Sequence, residues 1–158
     1  MILKVNLKKL IICLLIPLAV GGLSTLITSG DMKTYGDVIK PPLSPPAIVF
    51  PIVWTILYIL MGISLYLVVN SDKEYEKKFT AIVIFAIQLL LNFIWSPVFF
   101  SARKYLIAFI ILLVLLCAVI LMTVKFYKIY KWAGLLQIPY IIWLLIASYL
   151  NLFVYILN

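Results

Sequence analysis

Apolar positions in this chain follow one another without a polar face, in five blocks that each approach or exceed the span of a bilayer. The charge-free runs are Leu10–Thr28, Pro41–Ser71, Phe79–Ala102, Tyr105–Val124 and Trp132–Asn158, and every Lys, Arg, Asp and Glu lies outside them. A helix needs about 20 apolar residues to cross a hydrocarbon core roughly 30 Å thick. The runs are apolar on all sides, whereas barrel strands alternate apolar and polar positions, so a β-barrel is excluded. The pattern predicts an all-α membrane protein, a single-domain bundle of five transmembrane helices. The spans are placed roughly at 7–28, 47–70, 79–101, 105–125 and 132–155, with a lid-like loop over 29–46.

Composition narrows the picture further. With 158 residues, 66% of them hydrophobic, no chain is left for a soluble domain. The net charge of +8 sits at helix ends rather than on a folded polar patch, which argues against nucleic acid as a partner. Nine lysines (Lys4, Lys8, Lys9, Lys73, Lys77, Lys78, Lys125, Lys128, Lys131) fall on one side and four basic residues (Lys33, Lys40, Arg103, Lys104) on the other. Basic loops stay cytoplasmic, so the N-terminus is expected inside and the C-terminus outside, in a bacterial plasma membrane. The basic N-terminus ahead of Leu10–Val20 also resembles a secretory signal, but the run continues through Thr28 and reads as a retained helix.

The chemistry open to such a chain is limited. The sequence contains no His, which removes the commonest general base and metal ligand. No metal site is expected, and Cys13 and Cys117 read as small hydrophobes inside spans. No Asp, Glu, Lys, Arg or His lies within the core of a span, so proton relays and coupling-ion sites are not expected. Five spans do not divide into equal inverted halves, and no G-x-x-x-G occurs among the six glycines.

Three faces stand out. Gln88 and Asn92 lie four apart in the third span, with Trp95 one turn on; they are either interhelical glue or a polar anchor for a bound molecule. Tyr140, Trp143, Ala147 and Asn151 share a face of the fifth span, and Trp54, Tyr58 and Met61 one of the second. Such stripes either pack helices or wall a cavity for a planar apolar ligand. The loop Lys40-Pro41-Pro42-Leu43-Ser44-Pro45-Pro46 cannot be helical and is either a stiff spacer or a lid. The remaining connectors are short, which predicts that consecutive spans are antiparallel neighbours.

Three blocks carry a resemblance. The first is Lys40-Pro41-x-x-x-Pro45-Pro46 with Phe50-Pro51-x-x-Trp54-x-x-Leu57-Tyr58-x-x-Met61-Gly62. The second is Gln88-x-x-x-Asn92-Phe93-x-Trp95-x-Pro97-x-Phe99-Phe100-x-Ala102-Arg103, and the third Pro139-Tyr140-x-x-Trp143-x-x-x-Ala147-x-x-Leu150-Asn151. With this order and spacing the chain resembles the translocator protein / tryptophan-rich sensory protein family (TspO/MBR).

The resemblance implies a five-helix bundle, commonly a homodimer, that binds porphyrins such as protoporphyrin IX and needs no cofactor. By motif position, Trp54, Tyr58, Gln88, Asn92, Trp95, Tyr140, Trp143, Ala147 and Leu150 are its ligand-binding residues. Pro41, Pro42, Leu43, Pro45 and Pro46 form the lid. Light- and oxygen-dependent porphyrin breakdown, described for some members, is implied to use Trp54 and Trp143. Leu43 stands where the family usually places a lid tryptophan, and Ile107 where an aromatic is common. Nothing basic follows Tyr149 or Tyr155, as the family's sterol motif requires, although Val124, Tyr127 and Lys131 satisfy the same loose pattern. Three readings follow: a tetrapyrrole-binding protein acting in sensing, sequestration or transport, a photo-oxidative degrader, or a scaffold whose stripes only pack.

Overall fold

The computed structural model describes residues 4–158. Its elements are α1 (Leu7–Thr28), α2 (Thr34–Asp37), α3 (Val49–Val69), α4 (Tyr75–Phe100), α5 (Tyr105–Ile129), α6 (Lys131–Leu135) and α7 (Ile138–Leu157). Five membrane-length apolar segments result: α1, α3, α4, α5, and α6 with α7 as one broken span. Asn6 caps α1 by accepting the Lys9 amide at 3.1 Å. The break in the last span falls at Leu136–Gln137, two residues before Pro139, whose ring has no N–H to offer the Leu135 carbonyl.

Neighbours in the bundle are not simply neighbours in sequence. α1 packs on both α3 and α4, α4 packs on α5, and α5 packs on α7, leaving a seam where α7 faces α3. The short turn between α3 and α4 therefore does not make them a tightly packed pair, contrary to the expectation from connector length. The reason is α1, which approaches α3 at Gly62. A Cβ there would lie 2.7 Å from the Leu14 Cα and 2.9 Å from the Cys13 carbonyl oxygen. That carbonyl is the one Pro17 leaves without its helical donor, so a proline in α1 and a glycine in α3 meet at one point.

The centre is close-packed. Met61, Ala81, Leu112, Val119, Met122, Phe126 and Leu144 are fully buried, and Phe85 stacks on Phe126 at 6.1 Å. Ile11, Leu15, Leu90, Ile110, Leu113 and Leu145 are exposed on the outside, as a lipid-facing surface requires. The start of α1, the α3–α4 turn and the end of α5 share one end of the bundle, where Tyr66 accepts the Asn6 amide and Lys78 caps the Val69 and Ser71 carbonyls. The nine lysines thus share one side. The proline-rich loop lies at the other.

Candidate functional site

The residues singled out on three helices converge on the seam between α3 and α7. Trp54 stands at its centre. Its indole stacks on Tyr58 at 5.7 Å and meets Tyr140 at 6.1 Å, Trp143 at 6.5 Å and Trp95 at 6.5 Å. Spacing along each helix explains this convergence. Trp54 and Tyr58 are one turn apart on α3, Asn92 and Trp95 one turn apart on α4, and Tyr140 and Trp143 one turn apart on α7.

Below the rings runs a continuous polar chain. Tyr58 donates to the Asn92 Oδ1 at 2.9 Å, and Asn92 Nδ2 donates to the Tyr140 hydroxyl at 2.9 Å. Tyr140 donates in turn to Gln88 Oε1 at 2.9 Å, and Gln88 Nε2 reaches the Met61 sulfur at 3.9 Å. All five side chains are buried. Toward the lid, Trp95 donates its indole N–H to Asn151 Oδ1 at 3.0 Å, and Asn151 donates to the Tyr105 carbonyl at 2.8 Å. Toward the lysine side, Gln137 donates to Ser64 at 2.6 Å. Asn92 and Gln88 therefore do bind helices together, with their partners now identified.

One donor in this chamber is unmatched. Trp143 is 93% buried, and among the described residues its Nε1 has no acceptor. The same ring lines a groove of about 260 Å³ that opens laterally between α3 and α7, walled by Val53, Ile56, Leu57, Pro139, Ile142 and Ile146. Trp143 thus divides a lipid-facing groove from the inner aromatic cluster. Ala147 and Leu150 are buried beyond it on α7. Among the described residues, no group of three His, Cys, Asp or Glu could hold a metal ion.

The lid is latched at several points. The Tyr149 hydroxyl donates to the Pro42 carbonyl at 2.9 Å. The Asn158 side chain bonds both the amide and the carbonyl of Ile39 at 3.0 Å, and Ser101 donates to Asp31 at 2.7 Å. Pro41 turns inward and is buried, Ser44 donates to its carbonyl at 2.7 Å, and Pro45 is half-buried under the Tyr35 hydroxyl at 3.3 Å. Pro42 and Pro46 are exposed. Leu43 takes φ 67 and is 94% exposed, so it points away from the chamber. Left-handed backbone after a proline is the turn chemistry that places it there.

The roof over the rings comes from residues that sequence reading did not count among the site residues, although Lys40 and Phe50 lie in the first motif block. Tyr35 meets Phe50 at 4.9 Å, Phe50 meets Trp143 at 5.6 Å, and Lys40 Nζ sits 4.6 Å above the Tyr35 ring. Phe50 could have been found, since it lies four residues before Trp54 on the same face. Tyr35, Ser64 and the Gln137 contact have no local signal.

Burial lifts the Tyr35 phenol above its ordinary value, with the Ser44 hydroxyl pulling the other way. The folded lid favours the neutral phenol, so this contribution is full below the ordinary tyrosine range near pH ~10 and is lost as pH rises through the raised folded value. Hydrogen exchange of residues 35–46 is therefore expected to accelerate in that alkaline window. Tyr35→Phe should flatten the transition; one that survived unchanged would mean that the phenol does not hold the lid.

Comparison with known proteins agrees with this geometry. The TspO/MBR family profile matches residues 13–157. The chain is 38% identical over 154 residues to the tryptophan-rich protein TspO of Archaeoglobus fulgidus, covering 97% of this chain and 99% of that protein. It is 36% identical over 150 residues to the Chlorobaculum tepidum protein of the same name, covering 94% and 95%. It is 33% identical over 129 residues to the human translocator protein, covering 81% and 76%. A five-helix membrane bundle carrying these matches along nearly its whole length belongs to the TspO/MBR family.

Proposed function

We propose that the chamber between α3, α4 and α7 binds a planar tetrapyrrole of the protoporphyrin IX type, and that the protein acts in tetrapyrrole sensing, sequestration or transport. The observation that carries this reading is the Trp143 indole N–H, a buried donor without an acceptor beside stacked rings and a lateral opening. A buried polar group left unpaired costs about 1–3 kcal/mol, and a ligand that supplies the acceptor recovers it.

The groove, at about 260 Å³, lies just under the roughly 300 Å³ at which ligand pockets begin, so Trp54 or Trp143 must swing to admit the plate. Trp54, Tyr58, Trp95 and Tyr140 supply π faces. Gln88 and Asn92 hold those rings in register, and Ala147 and Leu150 complete the wall. Lys40, over the Tyr35 ring of the roof, has no carboxylate partner among the described residues and would meet an acidic substituent of the plate. With the lysine-rich side cytoplasmic, the lid and mouth face outward.

A dark, anaerobic titration with protoporphyrin IX, followed by tryptophan fluorescence, tests the reading. It is expected to saturate in the micromolar range, the order for a pocket worth about 8 kcal/mol. A signal that stayed linear would mean partitioning into detergent, and the stripes would be packing alone.

The edge contact between Trp54 and Trp143 at 6.5 Å favours a second reading, in which these two indoles serve as electron donors to a photo-excited bound porphyrin. Loss of porphyrin absorbance in light and air, with none in the dark or under nitrogen, would distinguish degradation from storage.

A further inference from the structure

A second groove lies far from the aromatic chamber, at the lysine-rich end, where α6 folds back along the last turns of α5. It has a volume of about 200 Å³ and is lined by Thr123, Val124, Tyr127, Lys128, Gly134, Leu135 and Ile138, the Thr123 hydroxyl being spent on the Val119 carbonyl of its own helix at 2.7 Å. Gly134 makes it possible. A Cβ there would fall 2.5 Å from the Tyr127 Cβ and 2.7 Å from its Cα, so any side chain would push α6 off α5.

The groove is graded in polarity. Lys128 and the Tyr127 hydroxyl stand at its outer end, in the last turn of α5. Val124 lies one turn deeper, about 6 Å at 1.5 Å per residue, and Ile138 lies one turn beyond Gly134 on the opposite wall. The half-exposed Trp132, beside Lys131, marks the water–lipid interface at this end. Polar surface thus meets the headgroup layer and apolar surface meets the acyl chains, in the order a phospholipid presents them.

The polar end is also unused. Among the described residues Lys128 forms no ion pair and the Tyr127 hydroxyl makes no hydrogen bond. Lys125 and Lys131 flank it, and nine lysines face only Asp72, Glu74 and Glu76 on this side. Lysines at a helix C-terminus favour the helix dipole in any case. That accounts for charge but not for a groove beneath it.

We propose that this groove seats one acyl chain of an anionic glycerophospholipid, with its phosphate held by Lys128 and the Tyr127 hydroxyl as second donor. The site is independent of the tetrapyrrole reading. Charge selects anionic over zwitterionic lipid, because Lys128 at the groove's outer end repels a choline or ethanolamine cation while attracting a net negative headgroup.

The test uses the full chain in phosphatidylcholine bilayers containing equal mole fractions of either dibrominated phosphatidylglycerol or dibrominated phosphatidylcholine. Bromine quenches an adjacent indole, and subtracting a Trp132→Phe sample isolates the indole on α6, the helix that supplies Gly134 and Leu135 to the groove. Phosphatidylglycerol is expected to occupy the position about fivefold more readily, the ratio for one lysine near an anionic surface. Lys128→Gln should bring the ratio close to one, while Lys33→Gln, at the opposite end, should leave it unchanged. Lys128 is exposed, so its variant is expected to fold, which circular dichroism checks. Equal quenching by both lipids would overturn the proposal. So would a preference that survives Lys128→Gln, which would be a diffuse charge effect, or stronger quenching by dibrominated cholesterol, which would make the occupant a neutral sterol.

Discussion

Tyr140→Phe is expected to destabilise the bundle by about 2–4 kcal/mol although it removes a single oxygen. That oxygen accepts from Asn92 and donates to Gln88, both at 2.9 Å, and all three side chains are buried. Without it the Asn92 N–H and the Gln88 oxygen are each left unpaired at a depth where no bulk water reaches. An orphaned buried group costs about 1–3 kcal/mol. The effect should be larger than for Tyr58→Phe, which frees only Asn92 Oδ1. Unfolding in graded SDS would measure both. Equal, small losses would mean that the chain from Tyr58 to Gln88 is not cooperative.

The second large effect is expected at Gly62, where replacement by leucine should cost more than ~3 kcal/mol and detach α1 from α3. Overpacking is cheap when a flexible side chain can move aside. Here the obstacles are the Leu14 Cα and the Cys13 carbonyl, which are backbone. Gly22→Leu is the control, since a Cβ at Gly22 meets nothing within 4 Å. A disulfide engineered between α1 and α3 should form readily in the parent and in the Gly22 variant, and poorly in Gly62→Leu. Equal cross-linking in all three would contradict the close approach.

Much of the architecture was legible because the bilayer imposes it. A run of residues without charge needs no tertiary context to be assigned to lipid, and five such runs imply five helices. Charge marks the edge of the hydrocarbon, however, and not the end of a helix. α4 starts at Tyr75, carrying Glu76, Lys77 and Lys78 in its first turn, ahead of the apolar run that begins at Phe79. In the same way the run from Pro41 is lid until Val49.

The site divides along similar lines. Spacing placed Gln88 with Asn92, and Trp54 with Tyr58, because one helix fixes its own faces. It left packing and ligand binding equally open, since hydrogen-bond partners come from other helices. Tyr140 joins Gln88 and Asn92 across 52 and 48 positions of sequence, a contact set by the order of helices around the bundle. That order was itself misjudged for α3 and α4, because α1 packs against both. The roof of Tyr35 and Phe50, and the outward turn of Leu43, depend on loop geometry that proline content constrains without specifying.

The unpaired indole N–H of Trp143 separates a binding chamber from a merely packed seam. Trp143→Phe keeps an aromatic ring against Phe50 and Trp54 and removes a donor that bonds nothing in the unliganded fold. Titrating the parent and this variant with protoporphyrin IX, in the dark and without oxygen, is therefore the most direct measurement. Affinity is expected to fall about tenfold, as for one hydrogen bond worth ~1.4 kcal/mol, while the variant stays folded in SDS. Relief of the unpaired donor, about 1–3 kcal/mol, opposes the packing lost with the smaller ring. Unchanged affinity in a stable variant would contradict this reading, and the empty donor would then have no part in holding a ligand.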